Sequence, residues 1–110
     1  MQTVYEYALV LFLRAGVNLK AYDISSATAD YEEAVERLLP VLTKDHKGDC
    51  HRVFTEAAFE RFKTDTYSGK RYLQYAIDGW EWLCNHNPTN RDYQKQYELC
   101  RKVYHRCYSK

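Results

Sequence analysis

The chain contains few residues that break helices or form tight turns, with four glycines and two prolines among 110 residues. This composition excludes a disordered linker and argues against a turn-rich β protein. The longest run of wholly apolar side chains, residues 8–13, is far shorter than the roughly 20 residues of a membrane-spanning helix. Because no basic segment precedes that run, we expect no signal peptide, no membrane association and a cytoplasmic, intracellular protein with reduced cysteines.

The sequence also lacks the motifs by which common enzyme classes are recognised. It contains no glycine-rich phosphate loop, no nucleophile-elbow sequence and no His-Glu-x-x-His pair. Adjacent acids such as Glu32 and Glu33 diverge on a helix, which is typical of a solvated face. We therefore predict a protein that is not an enzyme and needs no cofactor.

The composition is sufficient for a single folded domain over residues 1–110. Hydrophobic residues make up 45% of the chain and charged residues 28%, which is ordinary for a globular protein. The net charge is only +1, but residues 1–49 carry five basic against eight acidic side chains, whereas residues 91–110 carry six against two. This asymmetry would steer a charged partner or draw the two ends of the chain together.

Apolar residues recur at helical spacing through most of the chain, and no stretch alternates as a strand does. The fold class is therefore predicted to be all-α, with about five helices packed as antiparallel hairpins. They cover about residues 3–14, 30–42, 50–63, 70–85 and 90–108. Gly16 is expected to end the first helix and residues 17–27 to form an irregular connection. Asp30 and Glu33 are expected to form a capping box for the second helix, which Pro40 should kink or end.

Two stretches of the sequence are alike at an offset of 42 residues, each an amphipathic helix followed by a polar turn and a second helical pattern. Tyr31 and Ala34 in the first, and Ala76, Trp80 and Pro88 in the second, resemble the second helix of a tetratricopeptide (TPR) repeat. The first-helix signature of that motif is missing, and the offset exceeds the usual period of about 34 residues. The resemblance implies a helical repeat that binds other proteins. An irregular helical bundle is the alternative.

Aromatic side chains are more abundant than one small core needs, since the chain has eleven tyrosines and two tryptophans. Such residues often anchor protein interfaces. We predict that the partner is another protein and that the partner-binding residues are Tyr67, Tyr72, Tyr75 and Trp82. The chain would then act as an adaptor, an accessory subunit or an inhibitor. The alternative is that the tyrosines are half-buried, with their hydroxyls in water.

The two ends of the chain suggest two further interactions. The first predicted helix is apolar almost all round, which fits a homodimer that buries this helix between subunits. On the last predicted helix, a basic stripe consists of Arg91, Lys95, Lys102 and Arg106. Cations beside tyrosines are typical of proteins that bind single-stranded nucleic acid, so nucleic-acid association is the alternative function. A solvated helix face is the simpler interpretation.

Cysteines and histidines cluster at two helix ends. His46, Cys50 and His51 lie where the second predicted helix ends and the third begins, and Cys84 and His86 lie at the end of the fourth. An antiparallel hairpin of the third and fourth helices would bring these ends together. Candidate zinc ligands are therefore His46, Cys50, Cys84 and His86, although their spacing is not that of a standard zinc motif. A Cys50–Cys84 disulfide in an oxidising compartment, or buried thiols beside solvated histidines, are the alternatives.

Overall fold

A computed structural model describes residues 3–108, so the ends of the predicted domain, residues 1–2 and 109–110, lie outside the described residues. The elements in chain order are α1 (Val4–Lys20), α2 (Ile24–Leu38), a 3₁₀ segment (Leu39–Lys44), α3 (Asp49–Thr64), α4 (Lys70–His86) and α5 (Arg91–Tyr108). Residues 3–108 contain no strand. The predicted all-α fold class is therefore confirmed.

Each helix packs against the next one along the chain, and α1 also contacts α3. The core follows these contacts and includes Leu11 of α1, Leu38 of α2, and Leu73 and Leu83 of α4. The last helix packs mainly on α4, and its one fully buried residue is Cys100. The array is therefore open at both ends, because α1 and α5 each leave a broad face to solvent.

The connection between α1 and α2 is shorter than predicted. α1 continues through Gly16, so that residue does not end the helix. The chain reverses at Tyr22, whose φ is +62°, and Asp23 caps α2 by accepting a hydrogen bond from the Ser26 amide at 3.2 Å. The predicted irregular connection over residues 17–27 is wrong. The start of α2 is rich in serine and threonine, which are more typical of loops than of helix interiors.

Asp30 is a buried ion-pair partner that joins α1 to α2, not a helix cap. Its carboxylate accepts hydrogen bonds from Nη2 and Nε of Arg14 at 2.8 and 2.9 Å, and from Nδ2 of Asn18 at 3.2 Å. The predicted capping box is wrong because Asp30 lies inside α2 rather than before it. Its expected partner, Glu33, instead accepts a hydrogen bond from the Tyr7 hydroxyl at 2.9 Å, which ties the same two helices together.

The remaining helix boundaries agree closely with the predicted ones. Pro40 ends α2, since the α-helix stops at Leu38 and the chain continues as the 3₁₀ segment with the proline in its first turn. Gly48 precedes α3 with a φ of +92°, a conformation that glycine adopts without the steric penalty of a Cβ.

No helix within the described part of the chain is both long enough and apolar enough to cross a bilayer.

Candidate functional site

A groove runs across the odd-numbered helices of the array. We call it the odd-helix groove, and its cavity has a volume of about 720 Å³. It is lined by Phe12 of α1, by Glu56, Phe59, Glu60 and Lys63 of α3, by Trp80 of α4, and by Asp92, Tyr93, Gln96 and Leu99 of α5. Helices that alternate between two sides of an open array bring α1, α3 and α5 to one side, and the α1–α3 contact fixes one end of the groove.

Aromatic rings held by their neighbours form the apolar part of the groove. Phe12 packs edge-on against the buried Tyr31, with ring centroids 5.9 Å apart. Tyr93 packs against the buried Trp80 at 5.7 Å. Rings restrained in this way lose little conformational freedom when a ligand covers them. The groove therefore offers a preorganised apolar surface.

The groove carries more negative than positive charge. Three carboxylates line it, and its one lining cation, Lys63, lies 2.8 Å from Oε1 of Glu60 on the same helix. The other two carboxylates, Glu56 and Asp92, have no ion-pair partner among the described residues. Burial raises the pKa of Glu56, an effect that Arg52 opposes and Glu60 reinforces. A cation bound in the groove would stabilise the ionised form of Glu56, which burial has deprived of water.

The four aromatic residues predicted to bind a partner do not share one surface. Tyr67 is 100% exposed in the turn between α3 and α4, whereas Tyr72 is only 4% exposed. Tyr72 lies beneath the Arg61 guanidinium, which is 4.6 Å from the centre of its ring. It is therefore a core residue rather than a contact available to a partner. Tyr75 and Trp82 do line a common cavity.

That second cavity, about 300 Å³ in volume, lies between the 3₁₀ segment, α3 and α4, and we call it the 3₁₀ cavity. Its lining residues are Leu39, Leu42, His51, Phe54, Tyr75, Asp78, Gly79 and Trp82. It is less than half as large as the odd-helix groove, and Asp78 is its single carboxylate. It would accept one or two apolar side chains.

A buried Asp45–His51 pair lies beside the 3₁₀ cavity. Nδ1 of His51 is 2.7 Å from Oδ2 of Asp45, and the two side chains are 8% and 6% exposed respectively. The backbone amides of His51 and Gly48 donate to the same carboxylate at 2.8 and 3.1 Å. Burial alone would raise the pKa of Asp45, but these hydrogen bonds outweigh it and lower the pKa. The ionised carboxylate caps the start of α3 and holds the His51 imidazole in place.

The imidazole of His51 begins a stack of three rings. It lies parallel to Trp82 at a centroid distance of 3.6 Å, and Trp82 in turn lies 3.7 Å from the ring of His86. Nδ1 of His86 is 2.9 Å from the carbonyl oxygen of Trp82. The stack joins the start of α3 to the end of α4. Two of the three histidines in the predicted Cys/His cluster, His51 and His86, are thus engaged with Trp82.

The proposed zinc ligands do not form a ligand set. Among residues 3–108, no group of three or more His, Cys, Asp and Glu side chains is placed to hold a metal ion. Cys50 and Cys84 are free thiols, and burial raises the pKa of each. Zinc binds the thiolate, which burial disfavours. The geometry therefore gives no support to a site built from His46, Cys50, Cys84 and His86, or to a Cys50–Cys84 disulfide.

We expect the Asp45→Asn variant to be less stable than the wild type at neutral pH, and the difference in stability to shrink in acid. The pKa of Asp45 in the folded protein lies below its ordinary value of 3.8. The stabilisation is therefore fully present above about pH 5 and is lost as the pH falls through the lowered pKa. Thermal unfolding of both proteins at pH 7 and near pH 3 measures the difference.

The control for this experiment is Asp23→Asn, which changes the exposed cap of α2. Asparagine caps a helix about as well as aspartate does, so this variant should resemble the wild type at both pH values. A loss of stability in Asp45→Asn that is the same at pH 7 and near pH 3 would contradict the role assigned to the ionised carboxylate.

The basic stripe and the tyrosines of α5 lie on different faces of the helix. Arg91, Lys95, Lys102 and Arg106 are all exposed. The tyrosines instead face α4: the hydroxyl of Tyr97 donates to Glu81 at 3.1 Å, and the hydroxyl of Tyr104 accepts from Gln74 at 3.4 Å. A nucleic-acid strand on the stripe would therefore meet cations without rings on which its bases could stack.

Sequence reasoning did not single out the groove residues. One signal for them exists in the sequence, because Glu56, Phe59, Glu60 and Lys63 recur at the spacing of one helix face and place a phenylalanine among charges. An apolar ring on an otherwise charged face indicates a surface that is partly covered. The contributions of α1 and α5 depend on the tertiary arrangement and have no comparable signal.

Compared with protein-family models, with curated proteins and with solved structures, the chain matches none of them. The function is therefore inferred from the geometry of the odd-helix groove.

Proposed function

We propose that this protein is a non-catalytic protein-interaction module that binds a basic, partly apolar segment of a partner protein in the odd-helix groove. It would act as an adaptor, an accessory subunit or an inhibitor that covers the segment it binds. One observation carries the proposal: restrained aromatic rings and two carboxylates without an ion-pair partner line the same groove. This combination suits a ligand that presents both apolar and cationic side chains.

The dimensions of the groove favour a segment of chain over a whole domain surface. Packed helices lie about 8–10 Å apart, and the groove extends from α1 across α3 to α5, so it is at least about 16 Å long. An extended peptide rises about 3.3 Å per residue, and a segment of at least about five residues would therefore span the groove. The volume of about 720 Å³ fits the side chains of such a segment.

Charge determines which segment fits. A lysine or arginine of the partner that reaches Glu56 would replace the water that burial removes from this carboxylate, and would lower its raised pKa. The complex should therefore weaken as the pH falls into the range where Glu56 becomes protonated. An acidic segment would be repelled by Glu56 and Asp92, which adds specificity.

The chemistry of the described residues supports a non-catalytic role. The Asp45–His51 pair resembles the orienting half of a catalytic dyad, but the His51 side chain is only 8% exposed and is covered by Trp82. The nearest candidate nucleophile in sequence, Cys50, has a raised pKa because of burial and the nearby acids Asp45 and Asp49. A thiol in this state is protonated at neutral pH and is a weak nucleophile.

A selection of displayed random peptides on the immobilised protein tests the proposal. We expect the selected peptides to combine lysine or arginine with aromatic or aliphatic residues. The Glu56→Gln/Asp92→Asn variant should bind them at least about tenfold more weakly, a loss of about 1.4 kcal/mol in binding free energy. The matched control, Glu36→Gln/Glu98→Gln, removes two exposed carboxylates outside the groove and should bind like the wild type.

Equal binding by both double variants would refute the groove as the binding site. Selected peptides that carry no basic residues would refute the role given to Glu56 and Asp92. Isothermal titration of one selected peptide over a series of pH values from neutral downward adds a second readout, since affinity should fall as Glu56 becomes protonated.

The alternative function, nucleic-acid association through α5, has a separate readout. Binding to phosphates releases counterions, so the affinity for a single-stranded oligonucleotide would fall steeply with salt. It would also be lost when the exposed stripe is neutralised in a variant that changes Arg91, Lys95, Lys102 and Arg106 to glutamine. The groove proposal expects no such binding, and its occurrence would place the alternative first.

We further propose that the protein acts in the cytoplasm. All four cysteines are free thiols, and Cys107 is exposed. Exposed thiols persist in a reducing compartment and tend to be oxidised outside it. Mass spectrometry of the protein isolated under alkylating conditions should find all four thiols reduced.

A further inference from the structure

The outer face of α1 carries apolar side chains that the rest of the chain does not cover. Val10, Leu13 and Val17 are 50%, 58% and 66% exposed, and their spacing of three and four residues places them on one face of the helix. The inner face, with Ala8, Leu11 and Ala15, packs into the core. We call the exposed set the α1 outer face.

Two of the three charged side chains of α1 are placed symmetrically about the centre of this face, and the third, Arg14, pairs with Asp30. Glu6 lies seven residues before Leu13 and Lys20 lies seven residues after it, and both are exposed. Seven residues correspond to two helical turns, so both charges lie near the same face as Leu13. If α1 packed antiparallel against α1 of a second copy, with the two-fold axis at Leu13, each Glu6 would face a Lys20. A parallel pair would instead place like charges together.

Gly16 has no function within the single chain that explains its presence in a helix. A glycine in a helix interior costs roughly 1 kcal/mol relative to alanine, and a Cβ at Gly16 would meet no atom of residues 3–108 within 4 Å. In the antiparallel pair, Gly16 and Val10 are equally far from Leu13, so Gly16 would lie opposite Val10 of the second copy. A missing side chain there allows the two helices to approach closely, as small residues do at helix crossings.

From these three features we infer that the α1 outer face pairs antiparallel with the same face of a second copy, forming a two-fold homodimer. Two single helices in contact bury less than about 1,200 Å² in total, the low end of specific interfaces. We therefore expect a weak dimer that forms only at high protein concentration. Phe12, which follows Leu11 and faces the odd-helix groove, lies about 100° around the helix from Leu13. Dimerisation thus leaves the groove open.

Sedimentation velocity over a concentration series up to the millimolar range tests the dimer. The wild type should pass from monomer to dimer with rising concentration, and Leu13→Glu should remain monomeric. Because Leu13 is exposed, this variant should keep the helical circular dichroism of the wild type. Glu6→Lys should weaken the dimer at least tenfold, and Glu6→Lys/Lys20→Glu should restore it, since the swap exchanges both partners of each pair.

Gly16→Ala provides an independent readout. The substitution should raise the melting temperature of the monomer, measured at low concentration, and weaken the dimer several-fold. A wild-type chain that stays monomeric at millimolar concentration would overturn the inference. So would a charge swap that fails to restore dimerisation, or a Gly16→Ala variant that dimerises as tightly as the wild type.

Discussion

Gly79→Ala is expected to lower the free energy of unfolding by about 2–3 kcal/mol, within the range that overpacking of a core produces. A Cβ at Gly79 would overlap the Thr55 side chain, which is fully buried in α3. Alanine favours the helix over glycine by about 1 kcal/mol, which offsets part of the cost of the clash. The expected loss of about 2–3 kcal/mol is the net of these two effects. Urea unfolding followed by circular dichroism gives the value.

Two further variants show whether the close contact of α3 and α4 is the cause. Thr55→Ala removes Oγ1, the atom that a Cβ at Gly79 would approach most closely, and Cγ2, while Cβ remains. The hydroxyl has no hydrogen-bond partner among the described residues. The Thr55→Ala/Gly79→Ala variant should therefore recover at least about 1 kcal/mol relative to Gly79→Ala. Gly16→Ala, also in a helix interior but with open space around the new Cβ, should raise stability by about 0.5–1 kcal/mol. Equal losses in both Gly→Ala variants would contradict the packing argument.

Arg61→Leu is expected to cost about 2–3 kcal/mol, because it leaves several polar groups without their partner. The guanidinium is 5% exposed. It donates to Oε2 of Glu32 at 2.7 Å, to Oγ of Ser68 at 2.9 Å and to the Asp65 carbonyl at 3.3 Å. It also covers the ring of Tyr72, so one side chain joins α2, α3, α4 and the turn before α4.

The loss of stability in Arg61→Leu should be smaller than is usual when one partner of a fully buried ion pair is removed. The reason is that the Glu32 side chain is 36% exposed and can be hydrated again. Arg61→Lys keeps the charge but not the planar fork, and should cost about half as much. The control is Arg37→Leu, which breaks the exposed Arg37–Glu33 pair and should change stability by less than about 0.5 kcal/mol. Similar losses in Arg61→Leu and Arg37→Leu would contradict the assignment of Arg61 as a tertiary link.

The sequence pattern alone predicted the helices whose apolar residues recur most regularly. α3, α4 and α5 begin and end close to the predicted residues, and Pro40 ends α2 as its chemistry requires. The prediction failed between α1 and α2, where local preference and tertiary structure disagree. Gly16 has the propensity of a helix end, but it lies within a helix whose inner face is held by the core.

Asp30 shows that the role of a side chain is also hard to predict from local sequence. Its position before a Glu three residues later is that of a capping residue, but its carboxylate binds Arg14 across two helices. Periodicity cannot reveal such a pairing because it depends on how α1 packs on α2. The described residues give no support to the predicted zinc site, since they hold no group of three or more potential ligands and the predicted ligand His86 stacks on Trp82.

The candidate site was the least predictable part of the molecule. The odd-helix groove requires α1, α3 and α5 to lie on one side of the array, and contacts such as Gly79 with Thr55 set that arrangement. Tyr75 and Trp82 were predicted as surface aromatic residues and do line a cavity. Tyr72 is also a tyrosine of α4, three residues before Tyr75, but it lies beneath the Arg61 guanidinium. Residue type alone could not separate these cases.

The most direct test of the groove is an amide chemical-shift map of the isotope-labelled protein titrated with a selected basic peptide. The largest shifts should fall on groove residues of three separate helices, represented by Phe12, Glu56 and Tyr93, while Tyr75 and Trp82 of the 3₁₀ cavity should change little. Largest shifts at Tyr75 and Trp82, or along the exposed basic face of α5, would contradict the proposal that the odd-helix groove binds the partner.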